Sequence, residues 1–266
     1  MISEISGNQN PKYKLAKSLL QKKNRVKNKL YTVEGIKSVR DAIAADAEIE
    51  MIFVSDNFSG DLTQLENYDC RRVPEYMFAA LCDTETPQGV LAVIKMGGKK
   101  KLCDDKDKLY IYCDRVSDPG NLGTIIRTAD AAGFGGVLLS DGCADLYSPK
   151  TVRSSMGSFF NIPIYENIGA EDIERLKSDG FRFLCGALSE NTIEYTEADF
   201  TVPSVIAVGN EANGIREEIL EMADECIKIP IFGAAESLNA GVAAAVLMYE
   251  ARRQRKKGLP KHFFII

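Results

Sequence analysis

Three glycine-rich stretches of this 266-residue chain hold the side chains best placed for chemistry. The first, DPGNLGTIIRTADAAGF at 118–134, follows the apolar run LYIYC, so it lies where a strand would lead into a helix. Gly120 and Gly123 are spaced G-x-x-G, and the patterns G-x-G-x-x-G of dinucleotide sites and G-K-[ST] of P-loops are absent. Arg127 then follows among small and apolar residues. It is either an ordinary surface residue or the functional group of the segment.

The other two stretches, VGNEANGI and IPIFGAAESLNAG, also lie between an apolar run and a helical segment. Glu211 is a carboxylate in a turn of the second stretch, and Asn239 stands at the helix entry of the third. Ser237 is either the cap of that helix or a polar ligand. Ligands of open α/β sheets bind beyond the carboxyl ends of the strands. We therefore expect the three stretches to converge on one site.

Histidine and cysteine content excludes several kinds of site. The chain has one histidine, His262, in its basic tail, so a Ser-His-Asp arrangement would have to use a tail residue and is discounted. The seven cysteines form no C-x-x-C pair, which predicts reduced thiols in the cytoplasm, with no disulfide framework and no metal site. No apolar run approaches the roughly 20 residues of a membrane helix, so no membrane association is expected.

Charge is distributed unevenly along the chain. Residues 1–40 contain ten lysines and arginines against two glutamates, although the net charge of the whole chain is −5. A second basic run, ARRQRKKGLPK, lies near the end. Basic ends on an acidic body indicate a polyanionic partner, and the alternative is that the lysine-rich helices are simply solvated.

The spacing of apolar runs predicts the fold class. Beyond residue 108, short apolar runs alternate with helical segments up to CIKIPI at 226–231. This alternation predicts an α/β protein with a parallel sheet covered on both faces. A lysine-rich helix is predicted over 11–29, and the final helix is predicted to be buried nearly all round between Leu238 and Tyr249.

A change of composition at 96–108 predicts a domain boundary, because glycines and mixed charges interrupt the pattern there. The chain is accordingly divided into a small α/β domain at 1–97, a linker at 98–108 and a larger domain at 109–266.

The three stretches resemble the sequence motifs of the SpoU-type (TrmH-like) RNA ribose 2′-O-methyltransferases of the SPOUT superfamily. The segments KSLLQKKNRVKNKLYTVEGIKSVRDAI and TETPQGVLAV also resemble the N-terminal RNA-binding domain of the ribosomal RNA members. The resemblance extends from about residue 12 to 256. It implies a parallel-sheet catalytic domain with a deep trefoil knot, a homodimer, and S-adenosylmethionine (AdoMet) as cofactor.

The same resemblance assigns roles to individual residues. Arg127 is the expected catalytic residue, with Asn121, Glu211, Ser237 and Asn239 organising the site around it. A guanidinium hardly deprotonates in proteins, so we favour a cation that holds an RNA phosphate and stabilises a developing alkoxide over a general base. Asn121 is also expected to cap its own helix.

Two further sets of residues are expected to bind ligands. The resemblance implies a set of cofactor contacts at strand ends: Gly186, Ala187, Leu188, Gly209, Ile229, Ile231 and Leu238. Phosphate contacts are expected from basic residues: Lys12, Lys14, Lys22, Lys23, Arg25 and Arg153. Ser155 is expected to support Arg153.

The function implied is an AdoMet-dependent methyltransferase that modifies a ribose 2′-hydroxyl of structured RNA, with ribosomal RNA favoured by the N-terminal domain. One alternative is methylation of transfer RNA, and another is an RNA-binding ribosome-assembly factor with vestigial cofactor binding. A nucleotide-dependent oxidoreductase is disfavoured, because the glycine fingerprint is missing.

Overall fold

The computed structural model describes residues 2–98, 102, 108–189 and 191–255. Most of the predicted linker at 98–108 lies outside this range, as do His262 and the end of the basic tail. The described residues form two units, which we call the N-terminal unit (residues 2–98) and the C-terminal unit (residues 108–255). Among them, no helix has the length and apolar character needed to cross a bilayer.

The N-terminal unit is a five-stranded sheet with helices. In chain order its elements are β1 (Ser3–Glu4), α1 (Pro11–Ser18), α2 (Lys22–Asn28), β2 (Leu30–Glu34), α3 (Ile36–Ala44), β3 (Ile49–Ser55), β4 (Cys70–Val73), α4 (Glu75–Ala79) and β5 (Val90–Lys95). The strands lie in the order β1-β4-β3-β5-β2. The first three pair in parallel, whereas β5 runs antiparallel to both β3 and β2.

The C-terminal unit is a seven-stranded sheet in the order β10-β12-β9-β11-β6-β7-β8, with every pair parallel. Its elements are β6 (Leu109–Cys113), α5 (Pro119–Ala131), β7 (Gly136–Leu139), α6 (Pro149–Ser155), α7 (Ser158–Asn161), β8 (Ile164–Glu166), α8 (Ala170–Ser178), β9 (Arg182–Gly186), β10 (Ile193–Glu194), β11 (Ser204–Val208), α9 (Glu217–Leu220), β12 (Glu225–Lys228) and α10 (Ala240–Gln254). The predicted α/β class with a parallel sheet is confirmed.

Side chains of β6 show why both faces of this sheet must be covered. Ile111 and Cys113 point into a core shared with α5 and α10, whereas Tyr110 and Tyr112 point into a second core closed by Ile173 and its neighbours on α8. Alternate residues of a strand face opposite sides, so an entirely apolar strand needs two cores.

The helix predicted over 11–29 is wrong, because the chain turns between α1 and α2. Leu19 ends the first helix and is fully buried. The carbonyl oxygens left open there are bonded by side chains of the second helix: Asn24 donates to Ser18 O at 2.9 Å, and Arg25 donates to Leu19 O at 2.6 Å. These bonds replace the backbone bonds that a continuous helix would form.

The final helix is not buried nearly all round in the single chain, so this prediction is also wrong. Gly241, Ala244 and Leu247 pack inward, but Val242 is 48% exposed and Tyr249 is 54% exposed. Helix α10 therefore presents apolar side chains on its outer side that the sheet does not cover.

Helices α5 and α6 approach each other closely at Gly123. A Cβ atom at this position would lie 2.5 Å from Ser154 Cβ and 2.7 Å from the carbonyl oxygen of Thr151. Because one of these atoms belongs to the backbone, a methyl group here would force the helices apart. Gly123 thus fixes how α6 packs on the helix that carries Arg127.

We expect Gly123→Ala to lower the free energy of unfolding by about 1–3 kcal/mol, the usual cost of overpacking a close contact. Gly7→Ala is the matched control, because a Cβ atom at Gly7 would meet nothing within 4 Å. Urea denaturation of both variants measures the difference. Equal stability of the two variants would contradict the close approach.

Candidate active site

The three glycine-rich stretches converge at one edge of the C-terminal sheet. Cys113 pairs with Val208 across β6 and β11, and Cys185 pairs with both Ala207 and Cys226. Strands β6, β9, β11 and β12 therefore end at nearly the same level and release their loops at the same edge. The expected convergence follows from the parallel register of these strands.

Asn121 joins the three stretches by side-chain hydrogen bonds. Its amide nitrogen donates to Glu211 Oε1 at 2.7 Å, and its oxygen accepts from Asn239 Nδ2 at 2.8 Å. Residues about 90 and 118 positions away along the chain thus meet at one side chain. We call these three residues the Asn121 junction.

Asn121, which was expected to cap α5, does not do so, and of the two alternatives for Ser237 the structure excludes the helix cap. Asp118, not Asn121, caps α5, since its Oδ1 accepts from the Asn121 N–H at 2.8 Å. Asn239, not Ser237, caps α10, and its Oδ1 accepts from the Gly241 N–H at 2.9 Å. Asn121 lies one turn inside its helix, so its amide group is free to reach the other two stretches.

Glu211 is held as a carboxylate in this junction. Its Oε2 accepts from the backbone N–H and the hydroxyl of Ser117, at 3.4 and 3.1 Å, and Oε1 accepts from Asn121. Partial burial alone would raise the pKa of Glu211, but the hydrogen bonds from Asn121 and Ser117 outweigh burial and leave its pKa below the ordinary 4.5.

The loop that carries Glu211 is rigidly folded. Asn210 and Gly214 exchange two backbone hydrogen bonds of 2.9 Å, and Asn210 Oδ1 accepts from the N–H groups of Ala212 and Asn213. A Cβ atom on Gly209 would lie 2.2 Å from the carbonyl carbon of Gly214, so only glycine allows the loop to close on itself.

A buried ion pair that the sequence reading missed anchors the same loop. Asp114 is fully buried, and its carboxylate accepts from Arg216 Nε at 2.9 Å and from Arg216 Nη2 at 2.7 Å. Asp114 directly follows the apolar strand β6, and Arg216 directly follows the second glycine-rich stretch. A carboxylate after a buried strand was the signal available in the sequence.

A cleft of about 710 Å³ opens beside the Asn121 junction. All the residues expected to contact a cofactor line it: Gly186, Ala187, Leu188, Gly209, Ile229, Ile231 and Leu238. Glu211 and Ser237 line it as well. Leu188, Ile231 and Leu238 are exposed, which leaves apolar surface available to a ligand.

Arg127 lies on the exposed side of α5. Ile125, Ile126 and Ala129 form the buried stripe of this helix. Glu211 and Asn239 bond to Asn121 and not to Arg127. Within the part of the chain that the structure describes, no side chain pairs with the Arg127 guanidinium, which is therefore available to an external anion.

One expected phosphate contact is wrong. Arg25 is 3% exposed, and the two Nη atoms of its guanidinium donate to Leu19 O, Leu20 O and the carboxylate of Asp145. Its charge therefore faces the C-terminal unit and not the solvent.

The other expected phosphate contacts differ in accessibility. Lys12, Lys14, Lys22 and Lys23 are exposed, with Lys12 paired to Asp69 at 2.6 Å. Arg153 is partly buried at the contact between the two units.

Ser155 does not support a phosphate site. It is fully buried, and its hydroxyl donates to Val152 O at 2.7 Å inside its own helix. The expectation that it supports Arg153 at the surface is therefore wrong.

Comparison with known families covers both units. A model of the SpoU rRNA methylase family matches residues 108–249, just over half of the chain. A model of the MRM3-like substrate binding domain matches residues 10–92. The 23S rRNA (guanosine(2553)-2′-O)-methyltransferase of Bacillus subtilis is 38% identical over 251 residues, which cover 94% of this chain and 100% of that protein.

Two solved structures are similar along nearly the whole chain. An AdoMet-bound rRNA methyltransferase from Sinorhizobium meliloti is 31% identical with a TM-score of 0.85, over 95% of this chain and 98% of that one. The SpoU methyltransferase AviRb from Streptomyces viridochromogenes, in complex with AdoMet, is 27% identical with a TM-score of 0.83, over 94% of this chain and 100% of that one.

The depressed pKa of Glu211 predicts a pH-dependent contribution to stability. A carboxylate whose pKa is lower in the folded state stabilises the protein above its unfolded pKa and loses this effect as pH falls through the folded value. We expect Glu211→Gln to cost about 1 kcal/mol at neutral pH, because one of the two accepting oxygens becomes an NH2 group that cannot accept from Asn121 or Ser117. The cost should shrink as pH falls below the ordinary 4.5.

Denaturation curves at several pH values measure this cost. Glu66→Gln is the control, since Glu66 is exposed and far from the junction in sequence. A difference between wild type and Glu211→Gln that is independent of pH would contradict the account.

Proposed function

The chain belongs to the SpoU rRNA methylase family, and we propose that it transfers the methyl group of S-adenosylmethionine to a ribose 2′-hydroxyl of ribosomal RNA. The family and the α/β fold predicted from the sequence are confirmed by the comparisons. The observation that carries the proposal is the Asn121 junction, which brings all three family motifs to one cleft.

The cleft fits this cofactor in size and in chemistry. Its volume of about 710 Å³ is within the roughly 300–1,000 Å³ typical of small-molecule sites. The backbone at Gly186, Gly209 and Ile229 offers peptide groups that can bond the edges of an adenine, and Leu238 adds apolar surface. Two carboxylates, Glu211 and Glu236, line the same cleft and complement a positively charged sulfonium.

Bound S-adenosylmethionine supplies a methyl group on a positively charged sulfur, which a hydroxyl oxygen can attack. The chain must place a ribose beside it and stabilise negative charge on the 2′-oxygen as its proton passes to solvent water. Arg127 is suited to this second task, because its guanidinium stays protonated and has no protein partner among the described residues. It holds an RNA phosphate and stabilises the developing alkoxide through charge-assisted hydrogen bonds.

The Asn121 junction contributes to this chemistry by positioning other groups, and its three residues are Asn121, Glu211 and Asn239. Their mutual hydrogen bonds hold the entry of α5, the loop at 209–215 and the entry of α10 in one arrangement. Arg127 lies less than two turns beyond Asn121 on α5, so the junction sets where the guanidinium lies relative to the cleft. Ser237, which lines the cleft, is a polar ligand in this proposal rather than a cap.

The N-terminal unit supplies RNA affinity. Lys12, Lys14, Lys22 and Lys23 are exposed on its two basic helices, where they can neutralise phosphates without reading sequence. The match of this unit to a substrate-binding family supports ribosomal RNA over transfer RNA.

The proposed assembly is a cytoplasmic homodimer whose catalytic unit is knotted. Val242 and Tyr249 on α10 support the dimer, because exposed apolar side chains at these positions suit burial against a second copy. The strand order is consistent with a knot, since the late strand β11 lies between the earlier strands β6 and β9.

The direct test of the proposed function is methyl transfer in vitro with radiolabelled cofactor. Ribosomal RNA from cells that lack the gene is the substrate, with transfer RNA in parallel, and modified nucleotides are mapped as 2′-O-methyl sites. Incorporation into ribosomal RNA supports the proposal. Incorporation only into transfer RNA would contradict the substrate, and none into either would contradict the activity.

We expect Arg127→Ala to lower the rate of methyl transfer by about a hundredfold or more, the effect of removing one charge-stabilising donor. Cofactor affinity, measured by calorimetry, should stay within several-fold, because Arg127 does not line the cleft. Arg175→Ala removes the same charge from α8, on the other face of the sheet, and should leave turnover unchanged. Substantial turnover by Arg127→Ala would exclude this role for Arg127.

We expect Val242→Asp to convert the dimer to a monomer in sedimentation experiments, because a charge would be buried at the interface. The matched control is Val26→Asp, at a valine that is 61% exposed on the N-terminal unit. A Val242→Asp protein that sediments as the wild type does would place the dimer contact elsewhere.

A further inference from the structure

Arg25 is a buried arginine at the contact between the two units. Its Nη1 donates to Leu19 O at 2.6 Å and to Leu20 O at 2.9 Å, which fixes the guanidinium within the N-terminal unit. Its Nη2 donates across the contact to the carboxylate of Asp145 in the C-terminal unit. The fork of the guanidinium thus bonds both units at once.

Asp145 is held as firmly on its own side. Its Oδ1 accepts from the Tyr147 N–H at 3.0 Å, and its carbonyl oxygen accepts from the Ser148 N–H and the Thr151 hydroxyl, each at 3.0 Å. These bonds fix Asp145 to the start of α6. Lys150, on the same helix, donates to Asp118 at 2.9 Å, the residue that caps α5.

An apolar contact surrounds the ion pair. The ring of Tyr31 lies 5.1 Å from that of Tyr147 and 5.6 Å from that of Phe159, measured between centroids. Val152 of α6 is buried in the core of the N-terminal unit. This apolar contact stabilises the association of the two units but does little to set their relative orientation, because apolar burial is not directional.

The Arg25–Asp145 ion pair fixes the orientation of one unit on the other. A buried pair costs desolvation, so its net contribution to stability is small. Its hydrogen bonds, however, hold the guanidinium at one position between Leu19, Leu20 and Asp145. Packed side chains and hydrogen bonds then connect Arg25 to Asp145, to α6, and through Gly123 and Asp118 to the helix that carries Arg127.

We propose that Arg25 and Asp145 are positioning residues that fix the N-terminal unit on the catalytic unit and so determine which nucleotide of a bound RNA reaches Arg127. The proposal rests on the proposed function. RNA bound by the basic helices α1 and α2 is presented at a set distance and angle from the cleft. If the pair is broken, RNA still binds but is presented less accurately.

The test uses substitutions that change charge in opposite directions. Arg25→Ala removes a positive charge and Asp145→Asn removes a negative one, yet both break the pair. We expect both to lower the rate at saturating ribosomal RNA by about tenfold and to spread methylation to neighbouring nucleotides. The Kd for RNA and the Kd for S-adenosylmethionine should stay within threefold, and the double variant should resemble either single variant.

A phosphate contact by Arg25 predicts a different pattern and would overturn the proposal. RNA affinity and its salt dependence would then fall for Arg25→Ala and rise for Asp145→Asn. Lys23→Ala, at an exposed lysine of α2, shows what loss of a phosphate contact looks like. Arg25→Lys keeps the charge, but one nitrogen replaces the two Nη atoms that separately bond the carbonyls and the carboxylate, so it should behave as Arg25→Ala does. Full rescue by lysine would also overturn the proposal.

Two further measurements separate this proposal from a folding defect and from failure of the proposed function. Unfolding curves check that Asp145→Asn, which keeps the shape of the side chain, remains folded. Small-angle scattering should show a broader distribution of distances for both variants than for the wild type. An unchanged distribution of distances overturns the proposal that Arg25 and Asp145 fix the two units. A wild type that methylates no RNA contradicts the proposed function instead, and the scattering comparison remains valid.

Discussion

The hydrogen bonds of Asn121 are the constraint on which the site depends. One amide group donates to Glu211 and accepts from Asn239, so three loops from separate parts of the chain share one position. The arrangement requires Glu211 to be ionised and Gly209 to lack a side chain. It also requires the ion pair between the buried Asp114 and Arg216, which anchors the loop at 209–215. The cleft and Arg127 are thereby positioned by the same few polar contacts, beside a sheet whose central strands β6, β7 and β11 are fully buried.

The second constraint acts between the units. The N-terminal unit packs directly on the C-terminal unit. Its core includes Val152 of the C-terminal unit, and Arg25 is bonded to Asp145. A methyltransferase that acts on a large RNA must align a binding surface with a distant reactive centre, and orientation is a major part of catalysis. Helix α6 serves both demands, since it packs on α5 at Gly123 and on the sheet of the N-terminal unit.

Local patterns allowed the fold class and the motif loops to be predicted, because strand and helix periods are properties of neighbouring residues. The cap of α5 was assigned wrongly because Asp118 and Asn121 are both suitable cap residues and lie one turn apart. For the same reason the sequence could not decide whether Ser237 or Asn239 caps α10. Arg25 was misjudged for a different reason. Its partner lies 120 residues away, and no local pattern reports such a contact. The exposure of Val242 and Tyr249 on α10 could not be predicted either, because an apolar helix sequence does not show which element packs on each face.

Calorimetric titration of S-adenosylmethionine into the wild type and an Asn121→Asp variant tests the central claim most directly. The account predicts saturable binding of one cofactor per wild-type chain. In the variant a carboxylate would face Glu211 and one hydrogen bond would be lost, so affinity should fall by about tenfold or more while the protein stays folded. Equal affinity of the two proteins, or no binding to the wild type at millimolar cofactor, would contradict the claim that the Asn121 junction assembles a cofactor site.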